Sequence, residues 1–450
     1  MSTTVTTLTQ TDLQACVELA LAEARALGAS EAEVGVSVDT GLSVTARMRE
    51  VETLEYHRDR GMGVTVYRGK RKGSASTADL SAHAIRETVA KAHSIAGFTA
   101  EDPCAGLPDA DTLARDIPDL DLNHPWSIEP DAARDLAVAC EAAALDMDAR
   151  ISNSEGATLS SHQGLRVFGN SLGFVAGYAS TMHSLSCAVI GQQNGEMQRD
   201  YWYSSMRDYR DLESATSIGE RAAKRTLERL GARQLATCVA PVLFVPELAR
   251  GLIGSFLGAI RGGSQYRRSS FFLDAAGQQL FPTWFGCTER PHLLKGLGSA
   301  PFDAEGVTTR DRKLVDQGVL TGYVLSTYSA RKLGLKTTGN AGGVHNLLVE
   351  PGSTSGAHDF AALLKQMNRG LVVTELMGSG VNGVTGDYSR GAAGFWVENG
   401  QIAYPVHEIT IAGNLKDMYR NVVAVGSDVD ARGGIRTGSI LVESMTIAGA

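Results

Sequence analysis

Cysteine is sparse and scattered. The six cysteines (Cys16, Cys104, Cys140, Cys187, Cys238, Cys287) include no C-x-x-C pair. This spacing offers neither a zinc ribbon nor a dithiol redox motif, and reduced thiols in the cytoplasm are the simplest reading. Long apolar runs are missing too, so no membrane span is expected. The opening residues, MSTTVTTLTQTDLQ, have no basic start and no apolar core, so no secretory signal is expected. Positive charge is in deficit: 42 Lys and Arg against 50 Asp and Glu give a net charge of -8. That balance disfavours nucleic-acid and anionic-membrane partners. The one dense basic run (Arg68, Lys70, Arg71, Lys72) lies between strand-like segments and reads as a solvated hairpin tip.

Glycine is plentiful instead, at 50 of 450 residues. It falls between short alternating segments, the pattern of many hairpins. Hydrophobic content of 43% and charged content of 20% are those of a folded chain. The expected fold class is α+β. Residues 1–100 read as an N-terminal α/β domain with two helices on a sheet. The first helix has capping-box spacing at Thr11–Gln14 and the apolar stripe Leu13, Cys16, Val17, Ala20, Ala24 and Leu27. Two strands are expected either side of a turn at Thr40-Gly41, then two more over 51–57 and 63–67. A second helix spans about Ser81 to Ala96.

Residues 101–127 alternate proline with acidic residues and read as an extended, solvated linker. Residues 128–235 read as a middle α+β domain with short strands, an Asn194-Gly195 hairpin, and Tyr201, Trp202 and Tyr203 as an aromatic core or edge. Residues 236–450 read as a β-rich domain with hairpins. It opens with a buried strand and a helix from Pro246 that carries Gly251, Gly254 and Gly258. Three glycines in one helix cost about 1 kcal/mol each against alanine. Close approach of another backbone is their expected reason.

The short motifs resolve towards structure. Gly378, Gly380 and Gly383 match G-x-G-x-x-G, but a strand-like run follows where a phosphate site needs a helix. Ser329 and Lys332 match S-x-x-K without a K-T-G element and read as a helix surface. His407-Glu408 begins like a zincin motif, yet no second histidine follows one turn later, and the segment alternates like a strand. His345 has no ligand-type neighbour at the right spacing. The segment from Gly370 to Gly426 places polar Gly386, Asp387, Tyr388, Ser389 and Arg390 in a glycine-rich stretch that reads as the lining of a site, with a purely structural Arg390–Asp387 pairing as the alternative.

TVYRGKRKGSASTADLS, DPCAGL, HLLKGLGSAPFDAEG, TYSARKLGLKTTGNAGGVHN, GDYSRGAAGFWVENG and EITIAGNLKDM together resemble the TldD/PmbA family of gyrase modulators and metallopeptidases over nearly the whole length. The resemblance implies a three-domain fold and a two-chain, zinc-dependent peptidase acting on unfolded peptides. The TldD-type subunit would carry zinc on a His-Glu helix, with a further cysteine near its C-terminus. Here Pro246-Glu247 stands where the His-Glu pair would, Gly251, or Gly254 and Ser255, replaces the second histidine, and no cysteine follows Cys287. The resemblance therefore implies the non-catalytic member of the pair, with no cofactor of its own and zinc in a TldD-type partner. Unfolded or extended peptides would pass a chamber lined by Gly386 to Arg390 together with Asn340 and His345. A homodimer when alone stays open. So do a self-sufficient peptidase using distant ligands such as His345 and His407, and an adaptor acting on gyrase or an RNA regulator.

Overall fold

The computed structural model describes residues 8–449. The first seven residues of the opening stretch read for a targeting signal lie outside it, as does Ala450.

The first part of the chain comprises α1 (Gln10–Ala26), β1 (Glu31–Arg47), β2 (Glu50–Arg68), β3 (Arg71–Thr77) and α2 (Ala82–Phe98). The cap of α1 is Thr9, two residues before the expected Thr11. Thr9 Oγ1 accepts from the Asp12 amide at 3.2 Å, and the Asp12 carboxylate accepts from the Thr9 amide at 2.7 Å. An acidic side chain in the first turn also suits the helix dipole. The expected turn at Thr40-Gly41 does not exist: β1 runs straight through it and turns at Met48-Arg49, both with left-handed φ of 51° and 69°. Gly41 is glycine because the His162 imidazole lies where its side chain would project. The run 51–67 is likewise one strand, and Arg68 to Lys72 form a hairpin tip.

The next part comprises α3 (Pro130–Leu145), β4 (Ile151–Asn170), β5 (Val175–Gln193), β6 (Glu196–Met206) and α4 (Ala215–Glu228). All six strands so far join one sheet in the order β3-β2-β1-β4-β5-β6. Val34 and Val36 of β1 pack with α1 and α2, and Leu42 and Val44 with α3 and α4. Period two puts these residues on one face, so the helices share that face and leave the other bare.

The stretch between α2 and α3 is irregular and only partly solvated, its polar residues exposed but its leucines anchored. Leu107, Leu113, Leu120 and Leu122 are buried. Asp102 accepts from the Tyr328 hydroxyl at 2.7 Å and from Lys332 at 3.0 Å, and Arg331 reaches the Leu107 carbonyl at 2.7 Å. Prolines removed backbone donors without removing apolar anchors, and those anchors decided the outcome.

The last part contains β7 (Cys238–Phe244), α5 (Pro246–Ile260), α6 (Gly262–Tyr266), β8 (Cys287–Glu289), β9 (Arg312–Asp316), β10 (Val319–Leu320), α7 (Thr327–Lys332), β11 (Leu347–Val349), β12 (Gly352–Ser353), α8 (Phe360–Met367), β13 (Gly370–Met377), β14 (Asp387–Glu398), β15 (Gln401–Asn414), α9 (Leu415–Arg420), β16 (Val422–Val425), β17 (Ile435–Arg436) and β18 (Ile440–Ala448). Pairings β7–β13, β13–β14, β14–β15, β15–β18 and β18–β7 close a ring, so this β-rich part is a barrel. Closure removes the edges that open hairpins would expose. The fold class is α+β, as the sequence indicates.

Candidate functional site

Helix α5 leaves the barrel after β7, with Pro246 at its first turn, where the missing N–H costs nothing. One face carries Leu252, Ile253, Phe256 and Ile260, all buried. Phe256 meets Phe272, Phe281 and Tyr419 edge-on, and the Tyr419 hydroxyl donates to the Leu252 carbonyl at 2.8 Å. The helix is thus fixed from one side. On the other side, a side chain built at Gly251, Gly254 or Gly258 would meet nothing within 4 Å. No second backbone packs there, contrary to the sequence expectation.

Gly254 and Gly258 open onto a groove of about 210 Å³ that they share with Leu257, Arg261, Val324 and Val344. Val344 also lines a larger cleft of about 930 Å³ between the bare face of the six-stranded sheet and the loops around residues 297–304 and 341–345. Asp39, His162, Arg166 and Met182 project into that cleft from the sheet, and Asp303 and His345 from the loops.

Two buried carboxylates hold the loop side. Glu289, only 2% exposed, accepts from Asn340 Nδ2 and from the His345 backbone amide, both at 2.7 Å. The His345 ring Nδ1 lies 3.2 Å away and Arg312 3.4 Å away. Asp303 accepts the Ala341 amide on one oxygen and the Glu305 and Val307 amides on the other, all at 2.9 Å. Burial pushes the Asp303 carboxyl up to about 6, against the opposite pull of those three amides. Residues 340–345 are therefore a pinned wall, reached through left-handed Gly342 and Gly343.

Asn340 and His345 are thus brought together on Glu289. The other residues singled out in the sequence gather elsewhere. Gly386 is a buried left-handed turn against Phe271. Asp387 is exposed and accepts from Thr385 at 2.6 Å and Asn414 at 3.1 Å. Tyr388 is buried against Phe244, and burial pushes its hydroxyl up to about 12. Ser389 is exposed, and Arg390 Nε donates to the Met377 carbonyl at 3.5 Å. Ser329 sits inside its own capping box at Ser326 while Lys332 pairs with Asp102, so S-x-x-K is structural. His407, on strand β15, has its Nδ1 3.4 Å from Gln198 of β6.

At the N-terminus of α5, Glu247 pairs with Arg225 and Arg432, each at 3.4 Å. Arg432 also pairs with Asp430 at 2.9 Å and donates to the Tyr203 carbonyl at 2.7 Å. Its guanidinium lies 3.9 Å from the Trp202 ring centre and that of Arg221 3.6 Å, so the indole is sandwiched between two cations. Trp202 is core, as expected. This donor set does not fit zinc: Pro246, Gly251 and Gly254 offer no ligand, and Glu247 is already committed to two arginines. Among the described residues, no three His, Cys, Asp or Glu side chains gather as a metal site. Sequence reasoning missed Glu289, Asp303, Arg225 and Arg432. Asp303 at least lies inside one of the long signature stretches, GSAPFDAEG.

The fold and the helix geometry match a known class. Profiles of the PmbA/TldA metallopeptidase family match its domain 1 over residues 32–96, its central domain over 123–230 and its C-terminal domain over 237–449. The chain belongs to this family. It is 55% identical over 418 residues to metalloprotease PmbA of Escherichia coli O157:H7, covering 93% of this chain and 92% of that protein. A TldD homolog metalloprotease of Buchnera aphidicola is 21% identical over 83% of this chain and 80% of its own length. A crystal structure from Bacteroides thetaiotaomicron, named for modulation of DNA gyrase, superposes with a TM-score of 0.92 at 27% identity, covering 99% of this chain and all of that one. TldE of Thermococcus kodakarensis shares the fold, with a TM-score of 0.81 at 19% identity over 96% of this chain and all of its own.

Proposed function

We propose that this chain is the non-catalytic subunit of a cytoplasmic, two-chain metallopeptidase that degrades unfolded peptides. A TldD-type partner supplies the zinc, and this chain closes the chamber around the substrate. The observation that carries the reading is the state of α5. Its N-terminal carboxylate is held by Arg225 and Arg432, while its glycine face stays open onto a groove that meets the large cleft at Val344. A helix that cannot bind metal yet keeps a smooth, unfilled face suits passage of an extended chain, whose backbone needs width rather than specific pockets.

The wall residues then act by position. Glu289 and Asp303 hold the loop carrying Asn340 and His345 at the cleft, and His345 and Asp39 offer polar contacts to peptide groups. Gly386 to Arg390 would form a second stretch of the chamber lining. No helix is long and apolar enough to cross a membrane among the described residues. The test is co-expression with a TldD-type subunit, followed by mass measurement and peptide cleavage by each chain alone and together. Recovery of a gyrase subunit in place of a TldD-type chain would favour an adaptor instead.

A further inference from the structure

Arg207 directly follows β6 and is largely buried. Its guanidinium donates to backbone carbonyls: Nη1 to Thr181 at 2.9 Å, Nη2 to Leu297 at 2.8 Å and Nε to Gly296 at 3.5 Å. These take three of its five N–H groups. Among the described residues, no carboxylate lies within ion-pair distance of it. A cation withdrawn from water ordinarily keeps a counter-charge. Burial accordingly lowers the Arg207 pKa; the Tyr178 phenol pulls the other way, and the neighbouring Arg166 cation lowers it further.

Arg166 of β4 and Tyr178 of β5 are cross-strand partners, and both line the large cleft together with Arg207. Arg166 is exposed, and it too has no carboxylate within ion-pair distance among the described residues. Its Nη1 lies 3.4 Å from the Tyr178 hydroxyl and its guanidinium 5.5 Å from the centre of that ring. Phe302 holds the ring edge-on at 5.7 Å. The hydroxyl accepts from Arg166 and keeps its own proton to donate. The carboxylates of the cleft are occupied elsewhere. Asp39 lies over Gly164 and meets His162 at 3.5 Å, and Asp303 is spent on three backbone amides. Two guanidiniums and a phenol thus share one end of a cleft without an anion, in a chain of net charge -8.

The surroundings select the anion. A planar guanidinium matches the two oxygens of a carboxylate. A phosphate dianion would be repelled by Asp39, whose row on the sheet is about 7 Å further along. Apolar Met182, Leu297 and Phe302 line the same cleft and suit peptide side chains.

We propose that Arg166 and Arg207, with the Tyr178 hydroxyl, form a carboxylate-binding subsite that holds the C-terminal carboxylate or an acidic side chain of an extended peptide. The assignment rests on the peptide-chamber reading and adds the group by which the peptide is held.

Binding of an N-terminally labelled extended peptide to the full-length chain tests it. Three forms are compared: the free acid with one interior glutamate, its C-terminal amide, and the free acid with that glutamate replaced by glutamine. One neutralised form should bind at least about tenfold more weakly than the parent. It is the amide if the terminal carboxylate is the ligand, and the glutamine form if the side chain is. Arg166→Gln removes an exposed side chain and should erase the difference between the forms. Arg207→Lys, judged beside its own thermal melt, should narrow it. Cleavage of the same peptides by the pair assembled with a TldD-type subunit should show the difference in KM. Discriminating binding without cleavage would support the subsite and sink the peptidase reading. Cleavage with no preference among the forms would sink the subsite alone. Equal binding of all three forms, no binding of any, or a preference that survives Arg166→Gln would each overturn the proposal.

Discussion

Glu247 and Arg432 face each other at 3.4 Å where α5 meets the segment before β17, and both side chains are largely buried. In this helix the first-turn glutamate joins two parts of the chain. Removing its charge by Glu247→Gln leaves Arg225 and Arg432 short of a buried partner, at a cost of about 1–3 kcal/mol. Arg432→Ala should cost more, because it also strips the Trp202 stack and the Asp430 pair. Urea unfolding of both variants checks the order. Equal or negligible losses would contradict it.

The glycines of α5 make a prediction of opposite sign. Alanine at Gly251, Gly254 or Gly258 meets no neighbour and lowers the entropy lost on folding, so each should stabilise the chain by up to about 1 kcal/mol. Gly254→Leu should instead fill the groove. Thermal melts of the isolated chain should hold or rise, while peptide cleavage by the assembled pair falls. A stabilised helix with undiminished cleavage would remove the groove from the substrate path.

Asp303 sets a pH dependence. Its folded carboxyl sits at about 6, above the ordinary 3.8, so the native state holds the proton more tightly than the unfolded chain. The group's contribution is full below its unfolded value and is lost as pH rises through the folded one. Relative to Asp303→Asn, the wild-type chain should therefore lose stability, by up to about 3 kcal/mol, between acidic and neutral pH. Denaturation of both chains across that range reads it directly. A constant gap would show that the three amide donors cancel burial, and a gap that grows with pH in favour of the wild type that they outweigh it.

The loop of Asn340 and His345 depends on Glu289. Glu289→Gln keeps the shape but leaves buried Arg312 without its counter-charge. Faster proteolysis within 339–346 and loss of protected amides there are expected. Arg390→Ala, at a partly exposed residue far along β14, should leave the same loop unchanged.

Much of this architecture was legible in residue patterns, because period-two and helical stripes depend only on local geometry. The stripe Leu13, Val17, Ala20 and Ala24 is buried along one face, and Asn194-Gly195 turns the β5–β6 hairpin. Glycine misled where its reason was tertiary. Gly41 looked like a turn but makes room for His162, and the α5 glycines looked packed but are bare. Barrel closure through β7–β18 joins residues some 200 positions apart, which no local pattern encodes. In the site, Asn340 and His345 could be singled out by type, but their common anchor Glu289 lies 51 and 56 residues away and carries no motif of its own.

The central claim concerns which chain carries the metal. The decisive measurement is zinc content and peptide cleavage for this chain alone, the TldD-type subunit alone and the two together. The account predicts no stoichiometric zinc and no cleavage from this chain, and one zinc per pair with cleavage from the assembly. Stoichiometric zinc with cleavage by the purified single chain would contradict it.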